Sequence, residues 1–143
     1  MKKRVRAIII KNHKILTIER DQDGVLFWAL PGGGVENYDE NETAALKREC
    51  LEEVSLNIDV IQFIQSKEFN GCIEYFYLCK VVSRKAMPGN GPEYDNNNNE
   101  YHGRHIPKWL PLKDLKEYDL KPSEIKLKII KNAKTYKSRI AEI

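Results

Sequence analysis

The chain has 143 residues, 41% of them hydrophobic and 31% charged, a balance that fits one soluble globular domain over residues 1–143. It excludes a chain disordered throughout and a disulfide-stapled miniprotein. The net charge of +3, from 24 basic and 21 acidic residues, is too small to announce a nucleic-acid binder.

Val5 to Ile10 and Ile15 to Ile18 are β-branched runs, and Lys11-Asn12-His13-Lys14 between them reads as a hairpin turn. Asp21-Gln22-Asp23-Gly24 is a second turn, followed by a short strand through Phe27, Trp28 and Leu30 that Pro31 stops. Gly32-Gly33-Gly34 then opens backbone angles closed to other residues. Glu42 to Val54 has the spacing of a helix, with Asn41 as its N-cap and Ala45, Leu46, Cys50 and Val54 as its buried stripe.

Ile58 to Ile64 and Cys72 to Val82 read as strands, joined through the tight-turn signal Asn70-Gly71. The second is apolar on both faces and reads as a central strand. Residues 84–106 form a long loop rich in proline, glycine and asparagine. Pro107 to Leu110 reads as a short edge strand. A final helix over 123–140 has Ser123 as N-cap and Ile125, Ile129, Ala133, Tyr136 and Ile140 on one face. Cys50, Cys72 and Cys79 lie in no Cys-x-x-Cys pair and read as reduced thiols of a cytoplasmic protein. No apolar stretch approaches the ~20 residues of a membrane span.

The chemistry concentrates in Gly32 to Leu56. Glu49, Glu52 and Glu53 stand at i, i+3 and i+4 of the helix, so they share a face and repel one another. Such a cluster beside a glycine-rich turn suits a cation, and oxygen-only ligands select magnesium or manganese over zinc. The plain alternative is a solvated acidic helix face.

The surrounding residues decide against that alternative. Gly34, five residues, Glu40, seven residues, then Arg48-Glu49-Cys50-Leu51-Glu52-Glu53-Val54-Ser55-Leu56 resemble the Nudix hydrolase signature, Gly-x5-Glu-x7-Arg-Glu-U-x-Glu-Glu-x-Gly-U with U a bulky aliphatic residue. Trp28-Ala29-Leu30-Pro31-Gly32-Gly33 looks like the family's approach to this box (33–56), and the Trp109 to Leu112 segment and final helix also suit it. The match departs in three places. Ser55 replaces the box glycine and Cys50 an aliphatic residue. Gly33 competes with Gly34 as the box glycine, which leaves one extra residue among Asn37, Tyr38 and Asp39.

The resemblance implies an α+β fold, a single-domain α/β/α sandwich around a mixed sheet. It also implies magnesium-assisted (or manganese-assisted) hydrolysis of the pyrophosphate in a nucleoside diphosphate linked to another group. Glu49, Glu52, Glu53 and the Gly33 carbonyl, or that of Gly32, would hold metal. Glu52 or Glu53 would orient or deprotonate the water, and Arg48 would pair with Glu40 to fix loop to helix. Glu93, Asp95 and Glu100 are candidates for a further base. Arg20 could touch phosphate, and Trp28, Phe27 or Tyr75 could stack on a base, although strand positions favour the core for the aromatics. His102 and His105 read as loop residues. Marker residues of two subfamilies, proline or tyrosine, are absent at Gly71 and Cys72, which leans toward nucleoside triphosphates or nucleotide sugars.

Other readings are a non-hydrolysing nucleotide-binding module and an enzyme of RNA 5′ ends using the lysine-rich C-terminal segment. The lysines there alternate with an apolar stripe, the ordinary pattern of a surface helix, so the expected partner is a small nucleotide rather than nucleic acid or membrane. Many relatives dimerise, which leaves a homodimer open. Charge is uneven along the chain. Residues 34–56 hold 7 acids against 2 bases, whereas residues 1–33 hold 7 bases against 3 acids, so an acidic site is flanked by segments able to attract an anion.

Overall fold

The computed structural model describes residues 1–84 and 104–141. Strands β1 (Lys2–Lys11) and β2 (Lys14–Gln22) form the expected hairpin. Asn12 and His13 at its tip have φ of 52° and 63°, the left-handed pair a two-residue turn requires. β3 (Val25–Ala29) returns against β2 and β4 (Gly32–Gly34) follows; helix α1 spans Glu42–Val54. β5 (Leu56–Phe69) and β6 (Cys72–Arg84) are joined at Asn70-Gly71, both at positive φ. β7 (Arg104–Pro111), a 3₁₀ helix (Leu112–Glu117), β8 (Leu120–Lys121) and α2 (Ser123–Ala141) complete the described chain.

Both strands of the β5–β6 hairpin run beyond the apolar runs that predict them, and β7 occupies part of what reads as loop. Pairing explains the extension: β7 zips onto β2 from Lys14–Pro111 to Asp21–Arg104, which supplies backbone partners regardless of side-chain pattern. The cap assignment at α2 shifts by one. Ser123 is the first helical residue, and the Pro122 carbonyl accepts from Ile125 and Lys126 N–H.

The strands form one mixed sheet of order β5-β6-β1-β2-β3-β8, with β4 on β1 and β7 on β2. β1 runs parallel to β6, and its two faces feed two cores. Val5, Ala7 and Ile9 pack with Ala45, Leu46 and Cys50 of α1. Ile8 and Ile10 pack with Ile125, Ile129 and Tyr136 of α2. Each such fully buried aliphatic chain stabilises by about 1.5–3 kcal/mol. This is the expected α/β/α layering.

One irregularity positions the site. β1 and β2 are in register only at Ile10–Ile15 and Lys11–Lys14. Beyond that they diverge: the N-terminal half of β1 pairs with β4, whereas β2 pairs with β3 and β7. The sheet therefore splits beside Arg4 and Arg6, and a cleft opens there.

Candidate active site

Helix α1 begins where sequence predicts. The Asn41 side chain accepts from Ala44 N–H at 2.8 Å, and Thr43 adds its hydroxyl to the same oxygen. The helix ends at Ser55, whose φ of 58° and ψ of 34° are left-handed and whose N–H donates to the Cys50 carbonyl. The box glycine position thus needs the conformation glycine adopts freely, and serine holds it at a cost of roughly 1–2 kcal/mol. Its buried hydroxyl has no partner among the described residues.

The three glycines before the helix serve different ends. A Cβ on Gly32 would stand 1.9 Å from the Val5 carbonyl oxygen, so no side chain fits. A Cβ on Gly33 would fall 2.4–2.6 Å from the Glu49 carboxyl, whereas one on Gly34 would meet nothing closer than 3.9 Å. Steric need therefore picks Gly33, not Gly34, as the glycine that faces the acidic helix. Gly32 N–H donates to Glu53 Oε1 at 3.0 Å, tying the turn to the buried end of α1.

The predicted Arg48–Glu40 pair is replaced. Arg48 instead binds Asp39 through Nε at 3.0 Å and Nη2 at 2.9 Å, and Nη2 also donates to the Gly34 carbonyl at 3.0 Å. Asp39 Oδ2 in addition accepts from Glu36 N–H at 2.8 Å. Glu40 is exposed. Counting six residues on from Gly33 lands on Asp39, so the correction follows from the same shift that selects Gly33. The Arg48 guanidinium holds the Asp39 carboxyl below its ordinary range, with the Glu36 amide adding to the effect.

The cleft at the sheet split has a volume of about 650 Å³. Glu49, Glu53 and Gly33 lie on one side; Lys2, Lys3, Arg4, Arg6 and Arg20 supply the cationic lining. Glu52 is not brought into this lining. Its side chain is 41% exposed and reaches Arg48 Nη1 at 3.4 Å, while Glu49 meets the same nitrogen at 3.0 Å. Arg20 lines the cleft from the end of β2, stacked over Phe27 at 5.5 Å. Trp28 does not reach it: alternation along β3 turns the indole into the α2-side core, edge-on to Tyr118 at 4.9 Å. Phe27 instead lines an adjoining hollow.

His105 is the residue that sequence reasoning missed. It lies in β7 opposite Arg20 and lines the cleft, not a loop. Burial, then the Arg20 charge, pushes its pKa down to about 4. Glu93, Asp95, Glu100 and His102 lie outside the described residues. The three cysteines are free, with Cys50 and Cys79 buried, and burial pushes both of those thiols up. No helix among the described residues is long and apolar enough to cross a membrane.

Comparison with known proteins agrees with this geometry. Residues 1–129 match the NUDIX domain family model. The chain belongs to the Nudix family. It is 37% identical over 118 residues to an 8-oxo-dGTP diphosphatase of Buchnera aphidicola subsp. Schizaphis graminum, covering 80% of this chain and 81% of that one. Its fold matches a NUDIX hydrolase from Nitrosomonas europaea with a TM-score of 0.70 at 19% identity, over 94% of this chain and 88% of that one. The E. coli ORF135 protein superposes with a TM-score of 0.60 at 27% identity, over 87% and 84% of the two chains. The chain is thus a Nudix pyrophosphohydrolase, an enzyme acting on phosphoric anhydrides.

Proposed function

We propose that this Nudix enzyme is a cytoplasmic hydrolase that cleaves the pyrophosphate linkage of a nucleoside triphosphate or a nucleotide sugar with magnesium. The observation that carries the reading is the two-signed cleft, whose lining joins Glu49 and Glu53 with five cationic side chains. The carboxylates suit a cation, and the lysines and arginines suit the phosphates it accompanies. The relative from Buchnera is named for 8-oxo-dGTP, which supports the nucleoside triphosphate side of this reading.

The donor set fits magnesium. Glu49, Glu53 and the β4 backbone offer oxygens, and Gly33 leaves the Glu49 carboxyl room that any side chain would fill. Among the described residues no three acids converge into a closed cage. Magnesium is commonly held by one or two carboxylates, with substrate phosphates and water completing its shell. Glu49 and Glu53 would hold it, with Glu52 at the rim. Antiparallel alternation adds a backbone oxygen. Val35 N–H to Lys3 and Ala7 N–H to Pro31 mark the bonded pairs. Gly33 between them therefore faces Val5, and Gly32 faces away from β1 toward Glu53. We assign the available carbonyl to Gly32 in place of Gly33.

When bound, the metal would neutralise the pyrophosphate and the charge that grows on it in the transition state. The basic wall would hold the phosphates in line for attack by water. Glu53, already anchored by Gly32 N–H, is the better placed of the two acids proposed to orient and deprotonate that water. Arg48 stays outside the chemistry and fixes Asp39, Glu49 and Glu52 relative to one another.

The test is a panel of 8-oxo-dGTP, the ordinary nucleoside triphosphates, ADP-ribose, dinucleoside polyphosphates and sugar nucleotides, each incubated with magnesium. Turnover of a triphosphate or sugar nucleotide, lost in Glu53→Gln and with chelator, is the expected result. No turnover of any compound, or full activity in Glu53→Gln, overturns the reading.

A further inference from the structure

Arg4 and Arg6 belong to no signature residue, yet their arrangement is specific. They alternate with Val5 and so share the face of β1 that carries Ile8. The parallel register sets Glu74 beside Arg4 and Phe76 beside Arg6. Glu74, only 7% exposed, accepts from Arg6 Nε at 2.9 Å and lies 3.7 Å from Arg4 Nε. Arg6 Nη1 donates to the Leu30 carbonyl at 3.1 Å. Two edges of the Arg6 guanidinium are thereby fixed, and Nη2 has no protein partner among the described residues.

Arg6 also stands at a junction. It lines the catalytic cleft and a second hollow of about 560 Å³, bounded by Phe27, Phe69 and Phe76. Arg20 lines both as well, and its buried Nε is without a partner among the described residues. Burial first, then the Arg6 charge, holds the Arg4 and Arg20 guanidiniums below their usual range. Three like charges crowd one stretch of wall, with Glu74 engaging only two of them. The Arg6 side chain is 19% exposed, so its remaining donor edge opens onto the cleft junction.

We propose that Arg6, locked by Glu74 and the Leu30 carbonyl, presents its Nη2 edge to a phosphate oxygen of the substrate where the two hollows meet, with Glu74 as its positioning residue. The inference rests on the reading that the cleft takes a phosphorylated nucleotide. It adds that phosphate is gripped by a pre-set planar donor rather than by the flexible lysines. Arg6→Lys keeps the charge but loses that donor geometry.

Binding of tripolyphosphate and of dGTP to the full chain in EDTA, measured by calorimetry, tests this without turnover. Arg6→Lys and Glu74→Gln should each weaken binding by about tenfold, the worth of one charge-assisted hydrogen bond. The double variant should be no weaker than either single one. With magnesium, KM should rise several-fold more than kcat falls. If Glu74→Gln does not fold, Glu74→Asp retains the charge, shortens its reach and should show the same loss. Unchanged binding in folded Arg6→Lys, additive losses in the double variant, or no tripolyphosphate binding by the unaltered protein overturns the proposal. Metal-free binding without any turnover would overturn the hydrolase reading and leave this site standing. Turnover with unaltered KM in both variants would do the reverse.

Discussion

Arg48 and Asp39 meet through two parallel contacts of 3.0 and 2.9 Å, and that pair closes the loop between β4 and α1. The Arg48 side chain is 20% exposed and that of Asp39 5%, so water competes little for either. Asp39 also accepts the Glu36 amide, so one carboxylate organises both the tip of the loop and its attachment to the helix.

Asp39→Asn should therefore destabilise the protein by about 1–3 kcal/mol, since it leaves partly buried charged donors under-satisfied. Glu40→Gln, one residue on but exposed, should stay within about 0.5 kcal/mol of the parent. Urea unfolding of the two variants side by side measures the contrast. Equal effects would show that the loop is held in some other way.

Ser55→Gly should raise stability by roughly 1 kcal/mol. It removes a Cβ from a left-handed residue and a buried hydroxyl that has no partner among the described residues. The gain should appear as a higher urea midpoint with the same slope. A lower midpoint would mean that the serine hydroxyl stabilises the fold.

The glycines of β4 should separate by function when each is changed to alanine. Gly34→Ala has free space and should keep activity. Gly33→Ala pushes on the flexible Glu49 side chain, so the fold should survive while kcat/KM falls roughly a hundredfold from a displaced carboxylate. Gly32→Ala drives a Cβ into backbone and should fail to fold. Circular dichroism together with turnover distinguishes the three outcomes.

Acid should weaken the fold through His105. Its folded pKa of about 4 lies below the ordinary histidine value near 6.5, so between those pH values the unfolded chain binds the extra proton. Stability then falls as pH drops from about 6.5 toward 4. His105→Gln should flatten Tm against pH across that window. An unchanged slope would show that His105 is protonated without penalty.

What the sequence made legible was local. Asn41, Asn12-His13 and Asn70-Gly71 form the predicted cap and turns because their chemistry acts within a few residues. What stayed hidden depends on register. Asp39 and Glu40 are adjacent acids, and only the folded loop selects which of them reaches Arg48. Trp28 and Phe27 alternate along β3, so which aromatic faces a hollow follows from pairing with β2 and β8. Glu74 meets Arg6 across 68 positions through a parallel ladder that no short-range pattern announces. His105 reads as loop because Pro107 masks the strand; its pairing with Arg20 supplies the missing order.

The strand that supplies Arg4 and Arg6 to the cleft also supplies Val5, Ala7, Ile8 and Ile9, all 0% exposed, to the two cores. The cationic wall is therefore continuous with a fully buried stretch of ladder, hydrogen-bonded to β6 on one edge and β4 on the other. Amide protons along this segment should exchange with deuterium only when the whole molecule opens. One wall of the cleft is thus tied to the slowest-opening part of the described fold, so Arg4 and Arg6 can change position only through their side chains.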